Sequence, residues 1–128
     1  MNSNKSIFLN SLIAITCLVS VFHILIITSI IPYEHTWGGR LKSIEEMYVF
    51  ETLSLLINSF LLFVLLQKSE RLKSYLSQRS IRIILWIFFS VFLLNTLGNL
   101  LAKTIFEKIF SIITLINAYC IWKINRGK

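Results

Sequence analysis

His23 and Glu51 are the residues of this chain best suited to chemistry inside an apolar environment. Each lies within a long apolar stretch, where an ionisable side chain is costly and usually faces other protein groups. A buried Glu51 could carry or sense protons, and His23 could bind a ligand or handle a proton. Simpler roles compete with these. A neutral His23 serves as hydrogen-bonding glue between helices, and Glu51 near a helix start complements the helix dipole.

The other polar residues of the apolar stretches fall at helical spacing. Thr16, Ser20 and His23 stand at i, i+4 and i+7. Glu51, Ser54 and Asn58 stand at i, i+3 and i+7. Asn95, Asn99 and Lys103 stand at i, i+4 and i+8, and Glu107, Ser111, Thr114 and Asn117 at i, i+4, i+7 and i+10. Such spacing puts each set on one helix face, so the expectation is a shared polar interior. The segment Pro32–Arg40 would roof it. Gly38-Gly39 permits a tight turn, Tyr33 and Trp37 suit a membrane interface, and Arg40 could bridge Glu51, Glu34 or a lipid phosphate. The candidate binding residues are therefore His23, Trp37, Arg40, Glu51, Asn58, Asn95, Asn99, Lys103 and Asn117.

Catalytic and metal motifs are not apparent. His23, His35, Glu34 and Glu51 are the only plausible ligand set, and no H-E-x-x-H or H-x-x-E-H spacing occurs. No Gly-rich phosphate loop or nucleophile elbow is present. Cys17 and Cys120 form no C-x-x-C pair and read as buried, inert thiols. No cofactor is expected, and no residue is assigned a catalytic role.

The elements that position these residues follow from hydropathy. The chain has 128 residues, 55% of them apolar and 15% charged. A soluble domain this short would expose too much apolar surface. Ile7–Ile31 carries no Lys, Arg, Asp or Glu, Met47–Leu66 carries only Glu51, and Ile83–Ala102 carries none. Each reaches the ~20 residues that a membrane-crossing helix needs. Ile109–Trp122 is shorter and spans only with its flanks counted. The runs do not alternate apolar with polar residues, which excludes barrel strands.

The first run is too long for a signal peptide and lacks a cleavage motif, so it reads as a retained membrane helix. Pro32 is expected to stop it. Ser43-Ile44-Glu45-Glu46 and Thr104-Ile105-Phe106-Glu107 are capping boxes that open the second and fourth helices. A continuous helix from Ile81 to Ile124 would be roughly 66 Å long, so the chain must turn near Lys103-Thr104. The expected fold is all-α, a single membrane domain (1–128) of four transmembrane helices at about 7–31, 44–67, 81–102 and 105–124. Gln67–Ser80 reads as a solvated loop, with an amphipathic extension of the second helix as the alternative.

The net charge of +7 is mostly an orientation signal. Nine of the 13 Lys and Arg residues fall in the N-terminal segment, the loop between helices 2 and 3, and the C-terminal segment; four fall on the other side. The positive-inside rule then puts both termini in the cytoplasm. The same residues suit the anionic headgroups of the bilayer, whereas nucleic-acid binding is not expected, since no folded domain presents the charge.

The run His23…Pro32…Trp37-Gly38-Gly39-Arg40, then Met47…Phe50-Glu51…Ser54-Leu55…Asn58, then Asn95-Thr96…Gly98-Asn99…Ala102-Lys103…Glu107 resembles short four-helix bacterial integral membrane proteins of uncharacterised activity. The resemblance covers most of the chain. It implies that these polar residues belong together, in a bacterial inner membrane. Small multidrug transporters fit less well, because they place a key glutamate where helix 1 here has His23, and fluoride channels carry a different Gly/Arg signature. Emopamil-binding bundles share only the use of His, Glu and Asn in a membrane cavity.

The function expected from sequence is binding a small molecule or lipid, or docking a partner, through a polar pocket open to the outer face. A proton-coupled transporter or channel subunit, and a small enzyme using Glu51 or His23 as acid and base, are the alternatives.

Overall fold

A computed structural model describes residues 2–126 and folds them into four α-helices, with no strand among the described residues. They are α1 (Ser3–Ile27), α2 (Ile44–Lys68), α3 (Gln78–Leu100) and α4 (Ile105–Asn125). All four are long and apolar enough to cross a membrane, so the fold is that of a multi-pass helical bundle. Two 3-10 turns, Tyr33–His35 and Trp37–Gly39, occupy the loop between α1 and α2.

Both capping boxes open the expected helices. Ser43 Oγ accepts from the Glu46 amide at 3.2 Å, while the Glu46 carboxylate reaches back to the amide of Lys42. Thr104 Oγ1 accepts from the Glu107 amide and donates to the Glu107 carboxylate. The chain turns between α3 and α4 at residues 101–104, where the bilayer requires it.

Pro32 does not terminate α1. The helix ends four residues earlier than expected, at Ile27. There the amide of Ser29 bonds the carbonyl of Ile26, and that of Ile30 bonds the carbonyl of Leu25. These paired bonds form a Schellman cap. Ser29 takes the left-handed conformation (φ 62°) that usually calls for glycine. Glu70 does the same after α2, at φ 61°. At its other end α1 begins at Ser3, earlier than the apolar run suggests.

The loop between α2 and α3 is not helical. It hangs on Gln67, whose buried side-chain oxygen accepts from the amides of Tyr75 at 2.7 Å and Leu76 at 2.9 Å. Ser77 then caps α3 by accepting from Ser80. Arg71 ties the loop to α1 through Asn10 at 3.0 Å.

α3 packs along α4, and α1 packs on both α2 and α4, whereas α2 and α3 meet little. The order around the bundle is α2, α1, α4, α3. One core cluster joins Leu9 and Leu12 to Leu61 and Leu65, Ile81 and Leu85, and Ile121 and Ile124. It therefore brings the start of α1, the end of α2, the start of α3 and the end of α4 to one end of the bundle. A second, smaller cluster of Ile26, Leu41 and Met47 closes the opposite end. The polar centre lies near that second cluster.

Candidate functional site

Glu51 sits on the second turn of α2 and is fully buried, at 0% exposure. The Nδ1 of His23, from α1, faces its Oε2 at 2.5 Å. The indole Nε1–H of Trp37, from the loop, donates to its Oε1 at 2.7 Å. Three separate elements thus converge on one carboxyl group, and each of its oxygens has a partner. A proton on either group closes this contact, which joins α1 to α2. It is the only contact of ion-pair type found among the described residues. The His23 side chain keeps 16% of its surface accessible, which leaves an opening beside an otherwise closed pair.

Loop geometry is organised around the same contact. Trp37 adopts φ 54°, a left-handed conformation uncommon for a bulky residue. Such a conformation costs about 1–2 kcal/mol for an L-residue. The indole hydrogen bond and the Trp37–Phe50 ring contact, with centroids 5.1 Å apart, offset it. Gly39 has φ 69°, and a Cβ there would meet nothing closer than 3.9 Å. The glycine answers to backbone conformation rather than to space. Thr36 Oγ1 donates to the Tyr33 carbonyl at 2.8 Å and closes the first turn. Phe22 packs on Phe110 and His35 stacks over Phe106, which ties the site and its cover to α4.

The other sequence candidates divide. Asn117 is buried on α4, and its Oδ1 has no partner. Asn58 and Asn99 are half-buried. Arg40, Asn95 and Lys103 are exposed and do not join the centre. Arg40 does not bridge Glu51: it is exposed, and the partners of the carboxyl group are the Trp37 indole and His23. The buried residues of α3 are Ile81, Leu85, Phe88 and Thr96; Asn95, seven residues after Phe88 and one before Thr96, falls at the edge of that face and is exposed, while Lys103 lies past the end of α3 in the turn to α4. Thr96 takes the inward place instead and bonds Thr114 of α4 at 2.8 Å. The apolar spacing from Ile81 to Phe88 carries that register, with Asn99 half-buried on the same side and Asn95 exposed at its edge.

The polar stripes of α1 and α4 do turn inward: Thr16, Ser111, Thr114 and Asn117 are buried. Most of their hydroxyls nonetheless bond carbonyls of the preceding turn, as Thr16 does to Leu12 and Ser20 to Thr16. A helix can satisfy hydroxyls within itself in this way. Cys120 is buried, but Cys17 is exposed, because it follows Thr16 round the helix to the outer face.

Glu51 itself is closed off, while His23 stays partly accessible and Trp37 is exposed. Two apolar surface grooves lie elsewhere. One, of about 430 Å³, lies between α2 and α3 and is lined by Leu56, Ile57, Phe60, Ile84, Ile87 and Phe88. The other, of about 260 Å³, lies between α3 and α4. No group of three or more His, Cys, Asp or Glu side chains converges among the described residues. The arrangement can hold a proton, hold the loop, or exchange the Trp37 hydrogen bond for one from another donor. No family profile, curated protein sequence or solved structure matches this chain, so its function must be read from these contacts.

Proposed function

We propose that the chain is a non-catalytic, multi-pass protein of a bacterial inner membrane that binds a small molecule or a lipid headgroup at the His23–Glu51–Trp37 centre. In this reading both termini are cytoplasmic and the centre lies near the outer face. The basic residues support that orientation, with nine on the side of the termini and four opposite. A reporter fused after the last residue should be active only in the cytoplasm; activity in the periplasm would reverse the orientation.

The fully buried Glu51 carboxyl, joined by three elements, carries the functional reading. A carboxyl group removed from water in this way is expensive, and a bundle of four apolar helices does not need one to pack. The Trp37 arm is the exchangeable one. It comes from a loop and stores backbone strain, and strain of this kind collects at ligand clamps and switch regions. A ligand entering beside His23 would offer Glu51 an N–H or O–H donor in place of the indole. The Pro32–Arg40 segment would lift as it enters.

Native mass spectrometry of the protein released from membranes tests this. The expected spectrum has an adduct of defined mass on the natural chain and none on Glu51→Leu. The reading fails if the natural chain carries no adduct, or if Glu51→Leu retains it.

A further inference from the structure

Two residues of α3 have no explanation within the chain. Asn95 is exposed, and no described residue donates to or accepts from its amide. It lies eight residues before Lys103, the first charge beyond it, or about 12 Å along a helix. Its neighbours on the helix surface are Val91 and Gly98, both exposed, and Phe92 and Asn99, both half-buried. The amide is therefore presented to hydrocarbon, where nothing in a lipid tail can bond it.

Gly98, one turn further on, is the second. A glycine inside a helix weakens it relative to alanine. Here neither usual reason applies. Gly98 has no positive φ, and a Cβ added to it would meet nothing within 4 Å. Its own bundle does not need it small. In a membrane, small residues beside a hydrogen-bonding side chain allow two helices to approach closely.

We propose that this face of α3 (Val91, Asn95 and Gly98, with Ile87 and Leu94 beside them) is the contact surface for a second copy of the chain. The face is exposed throughout and carries no charge between Ile83 and Ala102. A second copy is the occupant that the amide itself selects. An asparagine side chain both donates and accepts. All copies insert in the same orientation, so a two-fold axis along the membrane normal sets every Asn95 opposite its own equivalent at equal depth. Each amide then satisfies the other, and Gly98 provides the close crossing. This interface is independent of the ligand reading, and it leaves the His23–Glu51–Trp37 centre facing away from the axis or beside it without using any of its residues.

Disulfide trapping of the full chain in phosphatidylethanolamine–phosphatidylglycerol vesicles tests the proposal, with Cys17 and Cys120 first replaced by serine and alanine. Val91→Cys and Leu94→Cys should trap a dimer, and Ile112→Cys, exposed on α4, should not. Adding Asn95→Leu should lower the trapped fraction about tenfold, while Asn95→Gln keeps it. Circular dichroism of Asn95→Leu should be unchanged, because the residue is exposed. A monomer at every protein-to-lipid ratio would overturn the proposal and favour a different membrane partner. Equal trapping at Ile112, or a dimer indifferent to Asn95→Leu, would also overturn it.

Discussion

Replacing Glu51 by alanine is expected to destabilise the folded protein by about 3 kcal/mol, measured by reversible unfolding in mixed detergent micelles. Removing one partner of a buried hydrogen bond costs ~1–3 kcal/mol, and Glu51 makes two, one from the Trp37 indole and one with His23. The loss stays below the sum because the His23 side chain is partly exposed and is not left wholly unsatisfied. Release of the loop strain offsets part of the cost. Without its acceptor the indole no longer holds Trp37 at φ 54°, so the loop should relax and Trp37 emission should shift as its surroundings change. Glu51→Gln should be milder, at about 1–2 kcal/mol, since its side-chain oxygen still accepts from Trp37 while the contact with His23 is altered. An unchanged unfolding midpoint for Glu51→Ala would show that the carboxyl group does not hold these elements together.

Leu85→Ala should cost less than Glu51→Ala, about 2 kcal/mol by the same measurement. Leu85 is fully buried in the cluster shared by all four helices. In a soluble protein such a change costs ~2–5 kcal/mol, part of it lost transfer from water and part the cavity left behind. A bilayer removes most of the first part, because lipid tails are as apolar as the core. Ile112→Ala, on the exposed face of α4, should be close to neutral. The expected ranking is Glu51, then Leu85, then Ile112. A Leu85→Ala cost well above that of Glu51→Ala would mean that packing, not the polar centre, dominates stability.

Much of the fold is legible in the residues. Four apolar runs, two capping boxes and the necessity of a turn near Lys103 define the helices to within a few positions. The end of α1 is not legible, since Ser29 adopts a glycine-like conformation without being glycine. Loop 2 conceals its organiser in the same way. Gln67 looks like the first residue of a solvated stretch, yet it is buried and holds two loop amides.

The site is legible in its members but not in its joints. His23 and Glu51 stand out as ionisable groups in apolar runs, but only helix packing decides that they meet. Trp37 resembles an interfacial anchor, and its N–H bond to Glu51 leaves no trace in spacing. On α3 the polar residues mislead. In water, asparagines and apolar residues would oppose each other cleanly around a helix, and either set would give the register. In a membrane both faces are apolar, so an asparagine at Asn95 does not mark the interior. The buried series Ile81, Leu85, Phe88, Thr96 does.

The central claim is that His23 and Glu51 act as one unit joining α1 to α2. A double-mutant cycle with His23→Leu, Glu51→Leu and the pair of substitutions together tests it most directly. Interhelical hydrogen bonds in membranes average ~0.6 kcal/mol and reach ~1.7 kcal/mol. A short contact involving a buried carboxyl should lie at or above the top of that range. The expected coupling is therefore at least ~1.7 kcal/mol, with the double variant more stable than the sum of the single losses implies. Additivity to within ~0.5 kcal/mol, the behaviour of independent sites, would contradict it.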